Sequence, residues 1–216
     1  MFIQLLQTDP RQYVAIVLVV VISICLHELA HGLVAVWRGD RTPIDQGRLT
    51  LNPLVQMGPV SLVVLLISGI AWGAMPIDRT RLRGRYAEAL VAVAGPLMNA
   101  LIAVVALTAL ALWRRSNPQV AGGQLGDFAD NGRLLLQAFG VMNIALAIFN
   151  LLPLPPLDGS HILANLSRTY ARAAEAVTMS GASMIIFIMV FSAAGRFIFP
   201  AARNVAEWYL RHLHAL

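Results

Sequence analysis

The order of apolar and polar positions divides the chain into long uncharged runs separated by short charged connections. A helix needs about 20 apolar residues to cross ~30 Å of hydrocarbon, so each run is a candidate membrane segment. The first run follows Arg11 and continues, interrupted by a few polar residues, to Trp37. The other four are Leu49–Ile77, Ala89–Trp113, Leu134–Leu157 and Ala176–Gly195. The pattern predicts an all-α polytopic membrane protein, a bundle of about five hydrophobic segments.

The second run begins with a pattern that is not helical. Polar and apolar side chains alternate over Arg48, Leu49, Thr50, Leu51 and Asn52. This period of two is typical of a β-strand. A turn at Asp45-Gln46-Gly47 precedes them, so the sequence predicts a small β-hairpin over Thr42–Asn52, directly after the first helix. The apolar stretch Pro59–Met75 is only 17 residues long. It predicts either a short span or a re-entrant segment.

Composition supports the membrane assignment. Hydrophobic residues make up 58% of the 216 residues and charged residues 12%, with a mean hydropathy of +0.69. Soluble domains carry about 25% charged residues, so a soluble enzyme is excluded. All 16 basic residues are arginines, and most lie between the apolar runs, where arginines set topology and contact anionic lipid. We therefore expect the lipid bilayer, and no nucleic acid, as a partner.

The first apolar run contains the sequence HELAH, which has the spacing of a metal site. His27 and His31 are four residues apart, so both rings lie on one helical face and can bind one metal ion. Glu28 lies about 100° around the helix, within reach of a water on that metal, as a general base requires. The alternatives are a histidine pair hydrogen-bonded in the bundle core and a proton relay.

A hydrolytic zinc site needs a third protein ligand, and Asp158 is the candidate. It follows an uncharged run and a proline-rich stretch, PLPPL, that cannot continue a helix. Irregular backbone at membrane depth is tolerated where it lines a polar cavity. The alternative is that Asp158 is the N-cap of a helix that starts near Gly159.

Asn99 places an amide among apolar residues, where an unpaired polar group costs about 1–3 kcal/mol. It therefore has a partner. Either it contacts substrate or a metal ligand, or it forms a helix–helix hydrogen bond beside Gly95, a position suited to close packing. His161, three residues after Asp158, is expected to lie at the surface or next to the ligands rather than to bind metal.

Four motifs, in this order, resemble the site-2 protease family of intramembrane zinc metalloproteases, peptidase family M50: HELAHG (27–32), GRLTLNP (47–53), AGPLMN (94–99) and NLLPLPPLDG (150–159). The resemblance covers residues 12–165. It implies that His27, His31 and Asp158 bind one Zn²⁺ per chain and that Glu28 is the catalytic base. It also implies that Asn150 holds the substrate backbone or the oxyanion. The chain departs from compact family members after LNPL, where they often have a histidine and an aspartate and this chain has VQMGP (55–59).

The resemblance further implies a single membrane-embedded metalloprotease domain over residues 1–216, a compact form without PDZ or CBS domains. The core is expected at about 12–165, an additional transmembrane helix at 176–199 and an amphipathic tail at 200–216. The expected activity is hydrolysis of peptide bonds in or near transmembrane segments of single-span membrane proteins. We expect residues 48–52 to hold an extended substrate by β-addition. The alternatives are a non-catalytic, helix-binding family member and a transporter or proton-relay protein; the sequence leaves the oligomeric state open.

Arginine positions predict the topology in a bacterial or archaeal cell membrane. In the family the zinc site is nearer the cytoplasmic face, which places Arg38, Arg41 and Arg48 inside. The sequence RTRLRGR (79–85) also favours the inside. Both hold only if Pro59–Met75 enters and leaves on the same side, so the sequence predicts a re-entrant segment there.

Overall fold

A computed structural model of the protein describes residues 2–116 and 127–214. Four of the described helices are long and apolar enough to cross a membrane. They are Pro10–Trp37 (α2), Ala87–Ser116 (α6), Asp127–Asn150 (α7) and Ser183–His214 (α10). The shorter α-helices are Leu5–Thr8 (α1), Thr42–Asp45 (α3), Pro53–Gln56 (α4), Gly58–Ser68 (α5), Asp158–Leu166 (α8) and Arg168–Met179 (α9), and 3-10 helices span Phe2–Gln4 and Arg79–Arg81. The polytopic, helical architecture agrees with the prediction.

The long helices begin and pack where their sequences favour it. Helix α2 starts at Pro10, and the side chain of Asp9 caps it by accepting a hydrogen bond from Gln12 N at 2.9 Å. Helix α6 contacts α2, α7, α8 and α10, and its buried face is rich in alanine and includes Gly95. Small residues permit close helix approach where lipid removes the hydrophobic driving force. A Cβ atom at Gly140 would overlap the side chain of Leu107, so α6 and α7 also meet closely.

The predicted β-hairpin over Thr42–Asn52 is wrong. No strand occurs in the ranges that the structure describes; Thr42–Asp45 is helix α3, and the chain then forms a loop up to the N-cap of α4. The reason is that the side chain of Gln56 supplies hydrogen bonds that a neighbouring strand would otherwise supply. Gln56 is buried, and its Nε2 donates to the carbonyl oxygens of Arg48 at 2.8 Å and Thr50 at 2.7 Å.

The same loop ends in a helix cap rather than continuing as a strand. Asn52 accepts a hydrogen bond from Leu54 N at 3.0 Å and starts α4, whose first residue is Pro53. The alternation of polar and apolar residues therefore reflects capping and turn contacts. The predicted substrate-pairing strand is not formed by the residues concerned, Arg48, Leu49, Thr50, Leu51 and Asn52.

The stretch predicted to be re-entrant is a short helix followed by an irregular return. Helix α5 has 11 residues, about 17 Å at 1.5 Å per residue, which is too short to cross the hydrocarbon core. It ends at Gly69, whose φ of +78° is a left-handed conformation. The chain then runs back beside α5, because Trp72 N donates to Ser61 Oγ at 2.9 Å and Ala74 N donates to Gln56 O at 3.1 Å.

The return brings the two arginine-rich regions to the same end of the bundle. The buried carboxylate of Asp40, just after α2, accepts a hydrogen bond from Asp78 N at 2.8 Å. Arg83 N donates to Arg38 O at 2.8 Å. Residues 38–48 and 79–85 thus lie together, as the topology prediction requires of them.

The last apolar segment has different boundaries from those expected. Helix α9 ends at Met179, and Gly181, with a φ of +74°, separates it from α10. Helix α10 then continues without interruption from Ser183 through Pro200 to His214. Helix α10 therefore includes most of the expected spanning helix (176–199) and most of the expected tail (200–216).

Candidate metal centre

Three side chains converge at the contact between α2, α6 and α8. His27 Nε2 lies 3.0 Å from His31 Nε2 and 3.1 Å from Asp158 Oδ2, and His31 Nε2 lies 3.3 Å from Asp158 Oδ1. Two ligands bound to one tetrahedral zinc at about 2.0–2.1 Å lie roughly 3.3 Å apart. The two histidines and the aspartate thus have the composition and the separations of a zinc site with one open position.

The three candidate ligands face one another as acceptors. His31 Nδ1 lies 2.7 Å from the carbonyl oxygen of Val91, which can only accept, so in the neutral ring Nδ1 carries the proton and Nε2 a lone pair. Among the described residues, the buried Oδ2 atom of Asp158 has no hydrogen-bond donor. A buried carboxylate facing an imidazole lone pair is stabilised by a cation between them. The residues present therefore fit a metal ion.

Asp158 is delivered by the turn that follows α7. It is the first residue of α8, and the N-cap of that helix is Leu157, which makes no side-chain cap. The N-cap alternative for Asp158 is therefore not what the structure shows. A Cβ atom at Gly159 would overlap the backbone of Leu151, so only glycine lets the start of α8 lie against the end of α7.

A chain of buried hydrogen bonds extends from His27 across three helices. His27 Nδ1 is 2.6 Å from Asn99 Oδ1 on α6, and Asn99 Nδ2 donates to Asn143 Oδ1 on α7 at 2.8 Å. Asn143 Nδ2 donates to Ser23 Oγ at 2.8 Å and to Phe139 O at 2.9 Å. Asn99 thus contacts a candidate ligand and also joins two helices, which combines the two alternatives. Asn143 was not among the predicted site residues, although it is an amide inside an apolar run, two helical turns before Asn150.

Gly95 gives the two histidines the space that they occupy. A Cβ atom there would lie 2.5 Å from His27 Nε2 and would overlap His31 Nε2. Val91, Gly95 and Asn99 follow one another at intervals of four residues, so they form one stripe of α6 that faces α2.

A cavity of about 460 Å³ opens beside the three candidate ligands. Glu28 is buried in its wall, next to the irregular segment 71–75. A Cβ atom at Gly73 would lie 2.5 Å from Glu28 Oε1, so this segment passes directly over the carboxylate. Asn150 lines the same cavity, and its Nδ2 donates to Leu146 O at 3.0 Å. Residues 48–52 do not line it.

The cavity also borders a cluster of charged side chains. Arg79 lies 3.0 Å from a Glu88 carboxylate oxygen and 2.9 Å from His161 Nδ1. Burial and the Arg79 guanidinium lower the pKa of His161, so the neutral ring accepts a hydrogen bond from Arg79. His161 therefore lies near the candidate ligands without joining them, in the position expected for it.

Comparisons with known proteins support the same chemistry. A family model described as Peptidase family M50 matches residues 119–193. YwhC of Bacillus subtilis is 33% identical over 178 residues, which is 82% of this chain and 79% of YwhC. Rip2 of Mycolicibacterium smegmatis is 29% identical over 204 residues (88% and 73%), and MJ0392 of Methanocaldococcus jannaschii is 27% identical over 173 residues (79% and 40%).

All three relatives carry the words zinc metalloprotease in their names. No solved structure matches the chain significantly. The four long apolar helices make the protein an integral membrane protein. The likeness to YwhC extends over most of both proteins, and with the family model it shows that the chain belongs to the site-2 protease family of zinc metalloproteases, peptidase family M50.

Proposed function

We propose that the protein is a zinc-dependent intramembrane endopeptidase that hydrolyses peptide bonds in or near the transmembrane segments of single-span membrane proteins. The observation that carries the proposal is the convergence of His27, His31 and Asp158 beside a buried glutamate, in a cavity inside a membrane helix bundle. These three residues would hold one zinc ion per chain, and the bound ion would supply Lewis-acid activation of water and of the scissile carbonyl group.

Glu28 is the proposed general base. It adjoins His27 in sequence, lines the cavity and is shielded from bulk water by the segment that contains Gly73. Its carboxylate accepts the proton of the attacking water and passes it to the leaving amide nitrogen, so the same group acts as base and then as acid. Burial keeps other water from competing for that proton.

Asn150 is the proposed oxyanion donor. One N–H of its amide is bound to Leu146 O, which fixes the side chain on the cavity wall. The second N–H is available to the oxygen of the scissile carbonyl as negative charge develops on it. A positioned donor of this kind contributes about 2.7–4 kcal/mol to transition-state stabilisation.

We propose that the site lies nearer the cytoplasmic face of a bacterial or archaeal cell membrane. His31 is six residues and His27 ten residues before the end of α2 at Trp37, which is about 9–15 Å at 1.5 Å per residue. The arginine-rich regions lie at that same end, and arginine-rich loops favour the cytoplasm.

The decisive experiment compares Glu28→Gln with wild-type protein in liposomes that contain a single-span test substrate. We expect Glu28→Gln to keep its zinc and to lose about 10²–10⁴-fold in cleavage rate, the usual contribution of a general base. Glu175→Gln makes the same change on the exposed surface of α9 and should cleave normally. Cleavage by Glu28→Gln at the wild-type rate would remove Glu28 from the mechanism.

Two alternatives predict other results. A non-catalytic, helix-binding member would retain substrate without cutting it in the wild-type form. A proton-relay protein would need no metal, so wild-type protein without zinc would favour it. Comparing cell membranes that contain wild-type or Glu28→Gln protein should reveal the substrates as accumulated single-span fragments.

A further inference from the structure

We infer that Asn143 is a positioning residue that acts through Asn99 to keep the proton of His27 on Nδ1 and the lone pair of Nε2 directed at the metal position. The inference rests on the proposed metal-binding role of His27, but on no particular substrate. Asn143 touches neither His27 nor the cavity; it lies two hydrogen bonds away, on α7.

The polarity of the hydrogen-bond chain is set at its far end. Phe139 O, four residues before Asn143 on α7, can only accept a hydrogen bond, and it lies 2.9 Å from Asn143 Nδ2. The flipped amide would place two oxygens against each other. Asn143 therefore has one orientation, with Nδ2 toward Phe139 and Ser23 and Oδ1 toward Asn99.

This orientation determines the next two groups. Since Asn143 Oδ1 can only accept, the group 2.8 Å away must be the Asn99 amide nitrogen. The Oδ1 of Asn99 then faces His27 Nδ1 at 2.6 Å, so Nδ1 must donate. In a neutral imidazole with a proton on Nδ1, Nε2 is the acceptor and hence the metal ligand.

The two histidines thus reach the same tautomer by different routes. His31 Nδ1 donates directly to the backbone carbonyl of Val91 at 2.7 Å. His27 has no backbone carbonyl among its described partners and depends on two side-chain amides that end at Phe139 O. Backbone cannot reverse its polarity, whereas an amide can, so Asn99 alone would leave the tautomer of His27 undetermined.

Burial makes the chain sensitive to the loss of one member. Ser23, Asn99 and Asn143 are all 0% exposed, so none of them contacts bulk solvent that could replace a missing partner. Without the acceptor on Asn143, Asn99 can turn over and present its Nδ2 to His27. That orientation favours the tautomer with the proton on Nε2, which cannot bind a metal.

The test compares two substitutions of nearly the same size. Asn143→Asp still presents an oxygen to Asn99 Nδ2, and in its neutral form, which burial among apolar helices favours, its O–H replaces the donor to Phe139 O. Asn143→Leu presents only methyl groups. A packing role predicts that leucine, apolar and inside a membrane bundle, is tolerated at least as well as aspartate. The positioning role predicts the reverse order, with aspartate close to wild type and leucine impaired.

Two measurements are made on the full-length protein in detergent. Zinc affinity is determined by competition with a chromophoric chelator, and the proton on His27 Nδ1 is followed by ¹H–¹⁵N correlation of histidine-labelled protein. The His27 signal is identified by its loss in His27→Gln. We expect Asn143→Leu to bind zinc about 10–100-fold more weakly, the usual effect of losing an outer-shell partner, and to lose the Nδ1–H signal. Asn143→Asp should keep both.

Tyr209→Phe is the matched control, because it removes another interhelical hydrogen bond, 2.8 Å from Tyr209 OH to Thr108 Oγ1, away from the cavity. It should leave zinc affinity unchanged. Should Asn143→Leu fail to fold, Asn143→Ala removes the same acceptor and is compared in its place.

Wild-type zinc affinity and an intact Nδ1–H signal in the apolar variant would overturn the inference. Equal loss in the apolar and aspartate variants would also overturn it, since the site would then require the amide shape rather than an acceptor. Neither readout involves proteolysis, so an inactive protein with the expected order of affinities would refute the proposed function and leave this inference standing.

Discussion

The substitution Gly95→Ala tests whether α6 provides the space that the two candidate metal-binding histidines occupy. The added Cβ atom would lie 2.5 Å from His27 Nε2, whereas non-bonded heavy atoms prefer about 3.5–4.0 Å. At least one ring must therefore move by about 1 Å, and metal–ligand distances tolerate only about ±0.2 Å. Both rings meet the new atom, so rotating one histidine does not relieve the overlap.

We expect Gly95→Ala to weaken zinc binding by at least about 100-fold, the upper end of the effect of losing an outer-shell contact. Cleavage should disappear with the metal. Alanine is favoured over glycine within a helix by about 0.8–1.0 kcal/mol, so backbone propensity opposes the expected loss and cannot explain it. The assay is chelator competition for zinc, together with thermal unfolding in the presence and absence of zinc.

Gly132→Ala is the matched control, because a Cβ atom there meets nothing within 4 Å. It should bind zinc normally and unfold at the same or a slightly higher temperature. Gly95→Ala protein that binds zinc as tightly as the wild type would refute the placement of α6 against the two rings.

Two further predictions concern the segment after α2. Gly73→Ala should retain zinc and lose about 10²-fold in cleavage rate, the usual effect of a 1 Å misplacement. The reason is that the new Cβ atom would lie 2.5 Å from Glu28 Oε1. Zinc content and turnover both equal to those of the wild type would contradict the prediction. Gln56→Leu should lower the free energy of unfolding by about 1–3 kcal/mol, since two partly buried backbone carbonyls lose their donor. Denaturant unfolding in detergent measures the loss, and Gln46→Leu, at an exposed position, should show none.

The parts of the protein that follow from local pattern were predictable. Each long helix is built around an uncharged run that the sequence shows directly, and the separation of His27 and His31 by four residues brings their rings together whatever the rest of the fold does. Asp158 was recognisable because the prolines before it end a helix at membrane depth. Each of these predictions depends on a property of one short segment.

The predictions that failed depend on partners that a pattern does not reveal. Residues 48–52 alternate like a strand, but a strand requires a neighbouring strand, and the donor for this backbone is the side chain of Gln56. Asn143 was missed for a similar reason. An amide in an apolar run predicts some partner, but only the packing of α7 against α6 identifies Asn99 as that partner.

The arrangement on α6 explains why the site can be both buried and well ordered. Within two turns, Val91 supplies a fixed acceptor for His31, Gly95 supplies space and Asn99 supplies an acceptor for His27. The spacing of four on α6 matches the spacing of four on α2, so one helix–helix contact satisfies both rings at once. The contribution of Val91 is a backbone carbonyl and that of Gly95 is the absence of a side chain. Neither can change its conformation independently of the helix, so both hold the candidate ligands in fixed positions. The third contribution is a side chain that can turn over, and it is this one that Asn143 holds in place.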